Sequence, residues 1–502
     1  IEIDKQAATT SSSVISGSYT SNQNVALTSN EITTIYYTVD GSRPTTSSLE
    51  YTDQIAITET TTLKYFSVDE VGNEEGIQVI EITIDSDNPI TESSVASGLY
   101  NLFQYVELIP NEPATTYYSL DGSDPSQSSA IYSEILEITS TTTLKFFSVD
   151  SLGNQEESIK TVEIEIDKVK PEVTSSVASG LYNTNQSVAL SSSKAGEIYY
   201  TTNGDEPNNT SSIYTGPINI TTTTVVKAIS YSANANIPSS FIDYHTFFIN
   251  DTHTIPILSI SGDVGQSGLV DLLDGGWGSS SLEPKGTIEW FDKNGVLLDK
   301  GTGEYNKHGN DSWAYDQRGF DYIMRDQFGY NYALQDQIFA TKSRDKFQRV
   351  IVKAAANDNY PFSYNGSGAH IRDAYVHHLS QIGDLRLDER STSSCIVYLN
   401  GAYWGVYEMR EKVDDHDFTD YYYDQDKNNL QYLKTWGGTW TEYGAPNAQP
   451  DWDNFVNFVT TNPMTNQANY NYAKSIYNTG SLIDYFLLNA YVVCQDWLNW
   501  NT

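Results

Sequence analysis

A pattern written three times in the first half of the chain constrains the fold most. Ile35-Tyr36-Tyr37-Thr38-Val39-Asp40-Gly41-Ser42-Arg43-Pro44 returns as Thr116-Tyr117-Tyr118-Ser119-Leu120-Asp121-Gly122-Ser123-Asp124-Pro125. It returns again as Ile198-Tyr199-Tyr200-Thr201-Thr202-Asn203-Gly204-Asp205-Glu206-Pro207. The first Tyr advances from 36 to 117 to 199, steps of 81 and 82. Lys64, Lys145 and Lys227 keep those steps, as do Tyr19, Tyr100 and Tyr182. A period this long suits a whole small domain rather than a solenoid turn. Within each copy, short β-prone runs alternate with turn signals such as Asp40-Gly41, where glycine accepts positive φ. About seven short strands with closely spaced turns predict an antiparallel β-sandwich. One Tyr of each pair is expected in the core, because side chains alternate across a strand. The repeat sets domain bounds of 1–87, 88–168 and 169–251, and leaves 252–502 as a different domain.

That remainder reads as strands first and helices later, an α+β domain. Strands are expected at 254–260, 287–292, 318–325, 347–353, 395–399 and 404–409. Asn400-Gly401 between the last two signals a type I′ hairpin. Lys307 to Trp313 reads as turn-rich, and 371–380, 452–460 and 469–478 as helices. A buried helix capped by Ser481 is expected over 481–496, from the helical spacing of Ile483, Phe486, Leu487, Ala490, Tyr491 and Cys494.

Composition excludes several functions. Lys and Arg number 28 against 65 Asp and Glu, a net charge of −37. Nucleic acids and anionic membranes both need a basic footprint, so neither is an expected partner. Cys395 and Cys494 cannot build a disulfide framework or a thiolate metal site and read as buried free thiols. No apolar run approaches bilayer-spanning length. The chain starts without Met or a signal peptide, which is expected of a mature or trimmed product. Its richness in Ser, Thr, Asn and Tyr suits a secreted or cell-surface bacterial protein. The seven His form no metal pattern, and no paired-carboxylate signature of a glycosidase is present. The Asp-Gly-Ser turns offer too few converging oxygens to predict calcium.

Copies one and two carry nearly all of a "YYTxDGSxPT…TTTLK…D..GN" signature, including Asp121-Gly122-Ser123 and Leu152-Gly153-Asn154. Copy three departs, with Asn203 for the Asp and Ser232-Ala233-Asn234 for the late turn. These units resemble the chitobiase/β-hexosaminidase C-terminal domain. That resemblance implies an immunoglobulin-like spacer or carbohydrate-associated module without catalysis.

In the second half, Asn400-Gly401-Ala402-Tyr403-Trp404-Gly405-Val406-Tyr407-Glu408-Met409-Arg410-Glu411-Lys412-Val413-Asp414 resembles the "NGxYxGxYxxxExxD" core of the CotH spore-coat kinase family. Ala355 to Asp358, Arg372-Asp373, Gly309 with Ser312, and Asn489 through Asn501 follow the same family in order. The resemblance implies an atypical protein-kinase-like fold that uses ATP and Mg to phosphorylate Ser or Thr of an extracellular or surface protein. Asp496 and Asn501 stand five apart, the step of a kinase catalytic loop, so Asp496 would orient the hydroxyl and Asn501 would hold metal. Taken alone, that spacing also suits an ordinary polar helix end. Glu411 would pair with the phosphate-binding cation, Arg318 would be that cation, and Ser312 would face the phosphates. Glu411 also reads as a solvated strand-end residue beside Arg410 and Lys412. The family's metal-binding "PWDxD" segment would follow Thr502, so the domain is expected to be incomplete at its C-terminus, with the metal site completed beyond it. The alternative is a scaffold or adhesin that binds a protein or glycan through the sandwich modules and an inactive kinase-like domain.

Overall fold

The computed structural model describes residues 5–309, 313, 316–355, 358, 368–414, 416–426, 428–435, 437–444 and 446–494. The chain divides into two compact units, Ile1–Val169 and Lys170–Thr502.

The first unit holds two copies of one module. In the first copy a five-stranded sheet runs, in spatial order, through Gly17–Tyr19, Gln78–Ile84, Thr61–Asp69, Thr33–Thr38 and Leu49–Glu50. Two strand pairs, Thr10–Ser12 with Leu27–Ser29 and Gln23–Val25 with Ile55–Ile57, supply the second layer. Alternation drives the packing: Leu63, Tyr65, Ile80 and Ile82 meet Val25, Leu27 and Ile57 in one core. The second copy repeats this arrangement strand for strand around Val106, Leu108, Leu144, Phe146 and Ile164. Tyr37 and Tyr118 pack on these cores, while Tyr36 and Tyr117 stack on Phe66 and Phe147 at 5.6 and 5.5 Å. Gly41 and Gly122 have φ of 73° and 79°, the left-handed values their turns require. The Asp40 and Asp121 carboxylates accept the amides of Ser42 and Ser123 at 2.9 and 3.0 Å, so they cap their own turns.

The second unit joins the third module to a closed barrel. The barrel strands are β1 (Ile257–Gly262), β2 (Lys285–Phe291), β3 (Leu297–His308), β4 (Gly319–Met324), β5 (Arg349–Lys353), β6 (Thr392–Leu399) and β7 (Ala402–Glu411). Their order around the barrel is β1-β2-β3-β4-β5-β7-β6, closed by the parallel pairing of β1 with β6. Leu258, Ile260, Trp290, Tyr305, Phe320, Tyr322, Val350, Val352, Tyr407 and Met409 fill it. The expected α+β domain is therefore a barrel followed by helices. The stretch at Lys307-His308, expected as turn, ends the long strand β3. Asn400 and Gly401 turn the β6–β7 hairpin with φ of 52° and 83°, the two positive values of a type I′ turn. The helices are α1 (Leu269–Asp274), α2 (Arg372–Ile382), α3 (His416–Tyr423), α4 (Ala448–Thr461), α5 (Gln467–Ile476) and α6 (Thr479–Tyr491).

Three expectations about α6 fail. Its cap is Asn478, whose side chain accepts the amides of Gly480 and Ser481, both at 3.1 Å. It stops at Tyr491, short of 496, with Val493 at φ 54°. Nor is its apolar face buried among the described residues: Ile483 and Leu487 are 55% and 59% exposed. Cys494 lies past the helix, while Cys395 is fully buried in β6 and its thiol is pushed up to about 12 by burial.

The third module's departures at Asp205 and Glu206 lie where it meets the barrel. A Cβ on Gly204 would fall 2.0 Å from Asn400 Oδ1, so the turn presses on the β6–β7 hairpin tip. Asp205 accepts the Val264 amide at 2.8 Å, and Asp263 accepts the Glu206 amide at 2.7 Å. Glu206 holds Lys227 at 2.6 Å with that lysine fully buried, where Lys145 of copy two remains a quarter exposed beside Asp124. Glu289 of β2 is buried and accepts the hydroxyls of Ser179 and Thr246 from the module. Apart from the Glu206–Lys227 pair, which lies within the module, these polar contacts are made only by docking.

Candidate active site

Charges placed at alternate positions in apolar strands build the site. Tyr407 and Met409 of β7 enter the barrel core, which sends Glu408 and Arg410 to the opposite face. The same rule sends Asp321 outward from between Phe320 and Tyr322 on β4, and Arg349 and Lys353 outward on β5. Helix α2 supplies Asp373 from its first turn to this face. Lys353 Nζ lies 2.5 Å from Asp373 Oδ2, and Arg410 Nη1 reaches the same oxygen at 3.1 Å. Arg410 also binds Glu408. Burial opposes ionisation of Asp373, yet the charges of Lys353 and Arg410 hold its carboxyl well below the usual carboxylate range.

A second group continues from the end of β7. Asp321 receives His308 Nδ1 and Arg349 Nη2, both at 2.8 Å, and Lys412 Nζ at 3.3 Å. Burial pushes the Asp321 carboxyl up, but the His308 hydrogen bond and the Lys412 and Arg349 charges prevail and hold it at about 2. Lys412 bridges onward to Asp414 at 3.1 Å. Lys434, on the short strand Tyr432–Thr435, pairs with Asp414 at 2.5 Å and with Glu442 at 3.1 Å. Arg390 Nη2 stands 3.9 Å from Asp414 Oδ1. That oxygen is buried and has no hydrogen-bond partner among the described residues.

Of these groups, Arg390, Asp414 and Lys434 open onto a cavity of about 630 Å³. Arg390, Asp414, Lys434 and His377 line one side, and Tyr485, Leu488 and Asn489 of α6 the other. Burial, with Arg410 and Arg390 nearby, pushes His377 down to about 4, so its ring is neutral at neutral pH. The volume suits a nucleotide. Cations on the wall suit its phosphates, and the orphan Asp414 oxygen suits an added donor or cation. The residues present therefore fit ATP with a divalent metal. A smaller cavity of about 310 Å³ between the third module and the barrel has a single lining cation, Lys300, already bound to Asp243 at 3.1 Å.

The expected site residues separate. Arg318 does not pair with Glu411. Its guanidinium donates to Leu272 O at 3.0 Å, Ser279 Oγ at 3.2 Å and Gly275 O, and covers the Trp313 ring at 4.8 Å. It caps α1 and the turn after it. Strand register explains the separation. Glu411 pairs with Val350, which pairs with Tyr322, four residues along β4 from Arg318. At about 3.3 Å per residue that is roughly 13 Å. Glu411 is fully buried, contrary to the solvated reading, and its oxygen Oε1 holds Arg344 Nη1 and the Tyr422 phenol, both at 3.1 Å. Ser312, Asp496 and Asn501 lie outside the described residues. Sequence reasoning passed over Arg390, Asp414 and Lys434 as cavity-lining groups, and over the ion-paired Lys353 and Lys412. The available signal was charge at every second position of Glu408–Lys412 and at both ends of Arg349–Lys353, inside runs too apolar to face water.

A family model described as chitobiase/beta-hexosaminidase C-terminal domain matches residues 14–81, 95–161 and 177–241. One described as CotH kinase protein matches 308–502, beginning at the last residue of β3. No curated protein matches the chain. Among solved structures, Clostridium thermocellum CbhA fibronectin(III)-like modules show 17% identity over 33% of this chain and 98% of that one, with a TM-score of 0.21. Sidekick-1 immunoglobulin domains 1-5 show 10% identity over 59% and 71%, with a TM-score of 0.24. The three N-terminal domains of the bacteriophage RB49 outer capsid protein Hoc show 8% identity over 49% and 99%, with a TM-score of 0.26. The chain thus carries three chitobiase/beta-hexosaminidase C-terminal domains in tandem, followed by a CotH kinase protein domain.

Proposed function

We propose that the C-terminal domain transfers the γ-phosphate of ATP to Ser or Thr of an extracellular or surface protein, and that the protein is secreted or displayed on a cell. One observation carries this reading: Arg390 and Lys434 line one cavity, and Lys412 joins Lys434 there through Asp414, in a chain of net charge −37. A strand lysine held by an acid in a helix is the arrangement that protein kinases use on nucleotide phosphates. Lys353 and Asp373 fill those roles here, in place of Arg318 and Glu411. Bound Mg would supply charge neutralisation on the phosphates, with Asn501 among its ligands. Asp496 would accept the proton of the attacking hydroxyl as the new phosphorus–oxygen bond forms and the bond to ADP breaks. Among the described residues no helix is long and apolar enough to cross a membrane.

The test is incubation of the full chain with radiolabelled Mg-ATP and dephosphorylated casein as a probe substrate. Label on Ser or Thr, lost in Asp496→Ala, is the expected result. Label that persists in a folded Asp496→Ala rejects the assigned roles.

A further inference from the structure

The three modules act as internal controls for one another, and the second alone carries an exposed apolar patch. Leu102, Phe103, Tyr105 and Ile135 are 60%, 42%, 57% and 51% exposed. One period earlier the same positions hold Ser21, Asn22, Asn24 and Gln54; one period later they hold Thr184, Asn185, Ser187 and Pro217. The strands concerned pair identically in all three, Gln104–Val106 with Leu136–Ile138 in copy two. The fold therefore does not require apolar residues there. Single exposed apolar residues are ordinary, but a contiguous group that the first module replaces with polar side chains throughout, and the third at all but Pro217, marks a contact surface.

The chemistry of the patch selects its occupant. Phe103 and Tyr105 meet edge to face at 5.7 Å. Tyr105 lies across the strand pair from Glu137, with its phenol 3.4 Å from Oε1. A groove of about 560 Å³ runs beside it, with Ile131 and Ile135 on its walls and the carboxylates of Glu134 and Glu137 at its edge. Lys168 already rests over the Phe103 ring at 5.7 Å, so that face accepts a cation. Rings bordered by carboxylates complement a positive, partly apolar ligand. A neutral glycan would use the rings but gain no charge pairing from Glu134 and Glu137, and an anionic ligand would be repelled. We propose that this face of the second module docks a basic protein segment in which Lys or Arg alternates with apolar residues.

The probe is a fluorescent peptide of alternating Lys and Leu, titrated into the full chain. Binding that weakens with salt is expected. The variant Phe103→Asn/Tyr105→Asn/Ile135→Gln installs the first module's residues, so it should fold with an unchanged melting temperature. It keeps every charge, yet is expected to bind at least about tenfold more weakly. Glu134→Gln/Glu137→Gln is expected to flatten the salt dependence. Equal binding by the patch variant and the parent overturns the proposal. So does patch-dependent binding of an N-acetylglucosamine oligomer, or patch-dependent self-association in sedimentation, without peptide binding.

Discussion

Lys353 Nζ sits 2.5 Å from Asp373 Oδ2, tying the last residue of barrel strand β5 to the first turn of helix α2. Lys353 is mostly buried and Asp373 half exposed, so the pair presents a held cation at an accessible edge. Lys353→Met conserves length and removes charge. Phosphate transfer is expected to fall ~10²-fold or more, the scale of losing one charge-stabilising group. Asp373 keeps Arg410 as a partner, so the stability loss should stay within about 1 kcal/mol, measured by thermal melting.

Arg344 and Glu411 behave oppositely, because both are buried. Arg344→Ala leaves the Glu411 carboxylate without its cation and is expected to cost about 3–5 kcal/mol. Arg344→Met combined with Glu411→Leu removes both charges and should recover most of that loss. Urea unfolding of the second unit, followed by tryptophan fluorescence, measures both. Equal destabilisation by the single and double variants would show that the pair is not what makes the site costly to break.

His377 gives the domain a pH dependence of definite sign. Its folded value is about 4 against an ordinary 6.5, so the unfolded chain takes up the proton first as pH falls. Stability is therefore present above 6.5 and is lost as pH falls from there towards 4, by at most about 3 kcal/mol. Asp321, held at about 2, adds a further loss below its ordinary 3.8. His377→Gln should lessen the slope of unfolding free energy between pH 6.5 and 4, where His308, also lowered by burial, still contributes, and leave the lower-pH loss in place. An unchanged slope in the upper window would exclude His377 as its source.

Gly204 and Gly41 occupy equivalent turns with unequal surroundings. An added Cβ would meet Asn400 at 2.0 Å in the first case and Thr62 at 3.4 Å in the second. Both positions carry the left-handed penalty of about 1–2 kcal/mol. Only Gly204→Ala should also loosen the third module from the barrel and expose that junction to limited proteolysis. Equal melting shifts for Gly204→Ala and Gly41→Ala would argue against a fixed junction.

The modules were legible in the sequence because every part of the sandwich signal is local and written three times. Tyr37 and Tyr118 show this, packing on their cores as alternation requires. Barrel closure was not legible, since the parallel pairing of β1 with β6 joins residues more than a hundred apart and leaves no local pattern. The site was half legible. Glu411 stood out by motif, but its partner Arg344 lies 67 residues away and register alone excludes Arg318. No cause for the third module's divergence at Asp205 and Glu206 was legible in the sequence; Asp205 accepts the Val264 amide and the Glu206 amide donates to Asp263, both in the barrel domain.

The most direct measurement is calorimetric titration of Mg-ATP into the full chain, its Lys353→Met variant and its Lys434→Ala variant. The expected result is saturable binding by the parent, weakened at least about tenfold in each variant while both stay folded. No binding by a folded parent, or equal binding by all three, would contradict a phosphate site on this cation-lined cavity.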